Sequence, residues 1–163
     1  MVRNEPLHTL WQPFRIDRFC TKHIERIADV FRICLLDCPL ASIVGSLGKV
    51  RVAETQQALC SRFGAQFCVS PVTHTLGIAR NVRSTLIPVN GLRHPPTNNV
   101  TGWYIWAGEH LSEADDFFVP LHVWHLDEWR PGLTKYLGLA PGWRFLIAPG
   151  HEDVWFDEKL MHI

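Results

Sequence analysis

From about Lys22 to Asp37 the apolar residues Ile24, Ile27, Val30, Phe31, Cys34 and Leu35 recur at helical spacing. The pattern predicts a helix that stops at Asp37-Cys38-Pro39, because proline disfavours helical geometry in the residue before it. Residues 1–20 carry little pattern; Trp11, Phe14, Ile16 and Phe19 suit a packing arm at best. Residues 40–50 hold Gly45 and Gly48 and read as a loop or short strand. A second helix is expected over Val52–Phe63, with Ala53, Leu59 and Phe63 as its buried stripe and Gly64 as its C-terminal cap.

Beyond Gly64 the period changes. Residues 66–70 and 75–79 are short, β-prone and bounded by Pro or Gly, so they read as strands. Asn90 to Pro96 reads as a stiff loop. The clearest strand is Gly102–Gly108, with Trp103, Ile105 and Ala107 on one face and Tyr104 and Trp106 on the other. A helix is expected from about Leu121 to Trp129, its inner face drawn from Leu121, Val123 or Trp124, and Leu126. A short helix should run from Leu133 to Leu137 and close at Gly138. A hairpin follows: strand Trp143–Ala148, turn Pro149-Gly150, strand Val154–Phe156. Phe145, Ile147, Val154 and Phe156 would be its core side, and His151, Glu152 and Asp153 its tip. Helices first and strands later predict an α+β fold, with a mainly antiparallel sheet packed by two to four helices. The chain reads as one domain, 1–163, with 1–50 a helical N-terminal extension and 65–163 the α+β core.

Composition fits a globular chain: 47% hydrophobic and 20% charged residues over 163 positions. Seven Trp and nine Phe exceed what a core of this size needs, which makes an aromatic binding surface plausible. The five cysteines, Cys20, Cys34, Cys38, Cys60 and Cys68, form no CxxC pair. With no leader pattern and no 18-residue apolar window, the expectation is a reduced cytoplasmic protein with buried thiols and no membrane partner. Net charge is zero but unevenly placed. Up to Thr101 there are 12 Lys/Arg and 6 Asp/Glu (12 − 6 = +6); from Gly102 there are 4 and 10 (4 − 10 = −6). Unless folding interleaves the halves, the molecule has a basic and an acidic side, and an acidic side steers a basic partner.

Catalytic signals are sparse. His122 and His125 share a face of the expected helix, and with His151 they form the best candidate metal set, that of a small metal-dependent hydrolase. His110 is a further candidate to join it. Against it, the string at His151 is HEDVW, without the second histidine of HExxH. No nucleophile elbow, P-loop or GxGxxG occurs. The carboxylate pairs Asp115/Asp116, Asp127/Glu128 and Glu152/Asp153 are adjacent in sequence, so their members do not face a common substrate. Arg80, Arg83 and Arg93 make at most a small basic patch, and the aromatics lie in the other half, which argues against nucleic acid. The reading is a non-enzyme without cofactor or metal. Protein recognition remains, through exposed aromatics flanked by acids. The expected contacts are Tyr104, Trp106, Glu109, Asp115, Asp116, His151, Glu152 and Asp153. A homo-oligomeric regulatory protein, with the Trp-rich face meeting its own copy, is a further alternative.

Four runs carry a family resemblance: Pro88 to Pro96, Gly102 to Glu109, Asp115 to Leu126, and Tyr136 to Leu160. Over about Thr75 to Leu160 the chain resembles small bacterial polymorphic-toxin immunity proteins and is similar to immunity family thirty-three. The resemblance implies a cytoplasmic, non-catalytic protein that neutralises a cognate toxin by direct binding. No catalytic residues carry over. Charge complementarity would then suit a basic toxin, for instance a nuclease.

Overall fold

Helix α1 spans Ser46–Phe63 in the computed structural model, which describes residues 46–162. The helix and arm expected before residue 45 lie outside the described residues. α1 begins earlier than its apolar pattern suggests, inside the segment read as loop or strand. Its end is as expected. Gly64 takes a positive φ of 68°, and the Ala65 N–H reaches back to the Cys60 carbonyl at 2.9 Å, closing the last turn. Leu59 and Cys60 are buried with Gln56, while Ala53 and Phe63 are half-buried. Burial pushes the Cys60 thiol pKa up, so this cysteine behaves as packing.

Six strands follow: β1 Thr75–Ala79, β2 Val89–Arg93, β3 Val100–Ala107, β4 Phe118–His122, β5 Trp143–Ala148 and β6 His151–Phe156. They form one sheet in the order β4-β1-β3-β2-β5-β6. Only β1 and β3 pair in parallel; the other four pairings are antiparallel. The fold is α+β, as the succession of patterns implied. A short helix α2, Leu126–Trp129, and 3-10 turns at 80–83, 123–125, 134–138 and 158–161 complete it.

Three expectations need correction. Asn90–Arg93 is not loop but part of central strand β2. Gly91 weakens its strand signal, yet glycine is required there: a Cβ would lie 2.2 Å from the Phe145 ring, which crosses the strand at that point. The helix expected from Leu121 starts only at Leu126, because Phe118–His122 is the edge strand β4. Its Pro120 is tolerated at an edge, where a missing donor costs least. Of its expected inner residues, Val123 and Leu126 are buried and Trp124 is exposed. Residues 66–70 form only an isolated bridge, Phe67 to Leu139.

The sheet has two covered faces. One carries Leu76, Ile78, Trp103, Ile105 and Phe145 against α1 and the 133–139 segment. The other carries Ala79, Leu92, Tyr104, Trp106 and Phe118 against Leu111, Phe117 and Leu160. The alternation expected in β3 is observed, but both of its faces are buried. Sheet order also interleaves the two charge halves: β1 and β2 are central, and the acidic half supplies β4 at one edge and β5–β6 at the other. Among the described residues, the strands of the two halves therefore do not separate into two sides.

Arg93 joins these layers. Its side chain is 1% exposed and lies on the α1 side of β2. Nε donates to the Thr101 carbonyl at 3.1 Å and Nη1 to those of Cys68 at 2.9 Å and Leu137 at 3.4 Å. Nη1 also donates to Leu139, and Nη2 reaches Val69 at 3.5 Å. No carboxylate accepts from it among the described residues. The planar fork thus satisfies carbonyls of two irregular segments that no strand could pair. Replacement by Lys or Met should lower the unfolding free energy by about 2–4 kcal/mol, since neither spans those acceptors. Urea unfolding at neutral pH checks this; an unchanged midpoint for both variants would remove Arg93 from that role.

Candidate functional site

Register brings distant residues to one end of the sheet. Ala107 of β3 pairs with Val89 of β2, Val89 with Ile147 of β5, and Ile147 with Glu152 of β6. Ala79 pairs with Phe118 at the same end. The 108–117 loop, the start of β4 and the Pro149-Gly150 turn therefore meet there. Glu109, Asp115, Asp116, His151 and Glu152 thus lie toward one end of the sheet, the first three where β3 passes to β4 and the last two on the opposite edge strand, β6.

The loop is anchored at three points. The Gly108 N–H donates to the Pro88 carbonyl at 2.8 Å, and Asn90 Nδ2 donates to the Gly108 carbonyl at 3.0 Å. Leu111 and Phe117 pack on the second core. Between these anchors Glu109, Glu113, Asp115 and Asp116 are all exposed. Glu113 was not singled out from sequence, although the stretch Glu109 to Asp116 holds four acids in eight residues.

Tyr104 and Trp106 do not lie open beside this loop. They are 1% and 5% exposed, with the Phe118 ring 5.1 Å from Tyr104 and 6.4 Å from Trp106. The expectation that alternate residues of β3 face solvent is therefore corrected. Asp153 is half-buried on the same face of the sheet as Trp106. His151 is half-buried too, and its Nε2 has no hydrogen-bond partner among the described residues. In the hairpin, Phe145 and Val154 are buried and Ile147 half-buried, but Phe156 is 51% exposed.

Glu152 lies within β6 rather than at a free tip. Its carboxylate receives Arg62 from the end of α1, Lys135 at 3.1 Å, and the Tyr136 hydroxyl. Desolvation pushes its pKa up, but the bonds from Tyr136, Lys135 and Arg62 outweigh that and hold it below the ordinary glutamate value. Tyr136 is buried and stacked on Phe145 at 4.4 Å; burial and then Glu152 raise its phenol pKa far above the usual one. These partners stand 90, 17 and 16 residues from Glu152, so no local spacing announced them.

Next to this cluster an open cleft of about 400 Å³ runs between the sheet end and the 130–136 segment. Ile87, Val89, Leu133 and Ile147 supply apolar wall; Arg130 and Lys135 supply charge. Nothing in the linear pattern marked it, because its walls come from three separate stretches.

The candidate metal set is dispersed. His122 ends edge strand β4, where its Nδ1 lies 3.1 Å from the Thr73 carbonyl; His125 bonds Glu128 at 3.1 Å. His151 begins the opposite edge strand, β6. Five strand spacings at ~4.8 Å separate the edges by about 24 Å. Among the described residues no group of three or more His, Cys, Asp or Glu is placed to hold a metal ion. No helix among them is long and apolar enough to cross a membrane.

A family model described as the Imm33-like domain matches residues 55–157, from the middle of α1 to just past β6. No curated protein and no solved structure matches.

The Glu152 cluster has a pH signature. Its carboxyl pKa is lower folded than unfolded, so the stabilisation is present above the unfolded value of about 4.3 and is lost as pH falls through the folded value. Glu152→Gln keeps an acceptor for Tyr136 but removes the charge. It should cost about 1–3 kcal/mol at pH 7, with the deficit closing toward pH ~3. Urea titrations of both proteins at the two pH values measure the difference; a gap independent of pH would refute the ionic origin.

Proposed function

The chain belongs to the Imm33-like family of immunity-protein domains, and from that premise we propose that it binds a cognate toxin and neutralises it without catalysis. The observation that carries the reading is the anchored acidic loop. Glu109, Glu113 and Asp116 are exposed, and no ion pair binds them among the described residues. Gly108, Leu111 and Phe117 hold the loop to the body, so the charges are presented on a fixed frame. A fixed negative patch accelerates encounter with a basic surface and orients it on arrival. A toxin that itself binds an anionic substrate, such as a nuclease, offers such a surface.

The contact set narrows accordingly. Glu109, Asp115 and Asp116 form its centre, with His151 and Asp153 as outlying members on the far edge strand β6. Tyr104 and Trp106 support the loop from beneath through Phe118. Glu152 is held by its own chain's cations, so reversing it would disturb folding and binding together.

The test uses the double variant Glu109→Lys, Asp116→Lys against a cognate toxin sought in the neighbouring open reading frame. Stopped-flow association at low salt should slow by about 10–100-fold while thermal unfolding stays within about 2 °C of the parent. Growth rescue of toxin-expressing cells should weaken in parallel. An unchanged association rate would place the interface elsewhere; no binding by the parent protein would end the reading itself.

A further inference from the structure

The cleft beside the Glu152 cluster has its own chemistry. At about 400 Å³ it has room for a few side chains. Two cations, Arg130 and Lys135, line it, and no carboxylate does. Lys135 shares Glu152 with Arg62, so two cations meet one carboxylate there. Arg130 Nη1 donates to the Ser84 carbonyl at 2.6 Å, a neutral acceptor. No ion pair of Arg130 with a carboxylate occurs among the described residues. With Asp127, which bonds the wall at Gly132 and Thr134, the three cations and two carboxylates leave a local charge of 3 − 2 = +1.

The walls suit the rest of a ligand. Ile87, Val89, Leu133 and Ile147 are aliphatic, and Ile87 stands 48% exposed at the rim. Burying such a rim returns roughly 25 cal/mol per Å². The frame is set before binding. Asp127 accepts from the Gly132 N–H at 3.3 Å and the Thr134 hydroxyl at 3.1 Å, which fixes one wall. The Gly108 to Pro88 bond ties the opposite wall to the base of the acidic loop. A preformed cleft spends little binding energy on ordering.

We infer that this cleft is a second contact point, which receives an acidic side chain flanked by aliphatic residues from the partner protein. The inference rests on the toxin-binding reading and refines it. The partner's footprint is then two-signed: a basic patch faces the 109–116 loop, and an acidic-aliphatic prong enters the cleft. Simple complementarity to a uniformly basic partner would not require the second part.

The first test needs no toxin. The ¹⁵N-labelled chain is titrated with the blocked peptides Ac-Leu-Asp-Leu-NH2 and Ac-Leu-Lys-Leu-NH2 up to about 10 mM, the weak-affinity range of so small a ligand. Saturable amide shifts should gather at 87–89, 130–136 and 147–149, with the Asp peptide binding at least about fivefold tighter. Arg130→Gln should erase that preference and Arg130→Glu should invert it. Shifts scattered over the surface, equal response to both peptides, or no saturation with either would overturn the inference.

The second test separates it from the reading it rests on. Arg130→Gln should speed dissociation of the toxin complex by about tenfold and leave association nearly unchanged, the reverse of the loop variant. A toxin that binds the loop but ignores Arg130 overturns the cleft alone. A toxin that does not bind at all overturns the function, while the peptide titration still decides the cleft.

Discussion

A guanidinium carried into the interior of this sheet protein has to find oxygen acceptors there, and it finds most of them on two irregular segments that it ties together. Arg93 gathers carbonyls from 68–69, 101 and 137–139 around a single planar fork. The same segments bond each other: Gly138 accepts from Cys68 N–H at 2.8 Å and from the Cys60 thiol at 3.3 Å, and Leu137 from the Ser70 hydroxyl at 2.7 Å. Buried backbone carbonyls need partners, and irregular backbone cannot supply its own. Arg93 adds to those direct bonds the partners for the remaining carbonyls of the stretch after α1 and the stretch before β5. With them in place, Leu137 and Leu139 complete the core over Trp103 and Phe145.

That arrangement also shapes the end of the sheet used for recognition. The segment from Leu133 to Leu139 is fixed at one end by Arg93 and at the other by the Lys135 and Tyr136 bonds to Glu152. One wall of the cleft is thereby built from a segment whose position the core dictates. The acidic loop is pinned independently, through Gly108 and Phe117. Two features of opposite sign thus share one end of the molecule while resting on separate supports, and a substitution in either one should leave the other in place.

Much of this was readable from the chain where the signal is local. The alternation in Gly102–Gly108, the Gly64 cap and the Pro149-Gly150 hairpin depend on near neighbours, and each is found in the structure. The α+β class and the family likeness followed from such pieces. The misreadings all involve tertiary partners. Gly91 looked like a loop residue because its reason, the ring of Phe145, is 54 residues away (145 − 91 = 54). Tyr104 and Trp106 looked like an open face because period-two alternation says which residues share a face, not what covers it. Glu152 looked like a free acid because Arg62 lies 90 residues before it. The acids of the 109–116 loop were visible as composition; their common position with His151 needed the register.

The contact between Gly91 and Phe145 lies on a seam. β2–β3 and β5–β6 are each local hairpins, and the β2–β5 pairing alone joins them into one sheet. Hairpins close in microseconds, whereas a pairing that spans fifty residues must first pay the entropy of a long loop. The topology thus sets two short-range hairpins against one long-range pairing, made where the bare Gly91 backbone lies beneath the Phe145 ring. The cleft exists only where that pairing is made, because its 87–89 and 147–149 walls come from different hairpins, whereas the acidic loop is pinned within one of them.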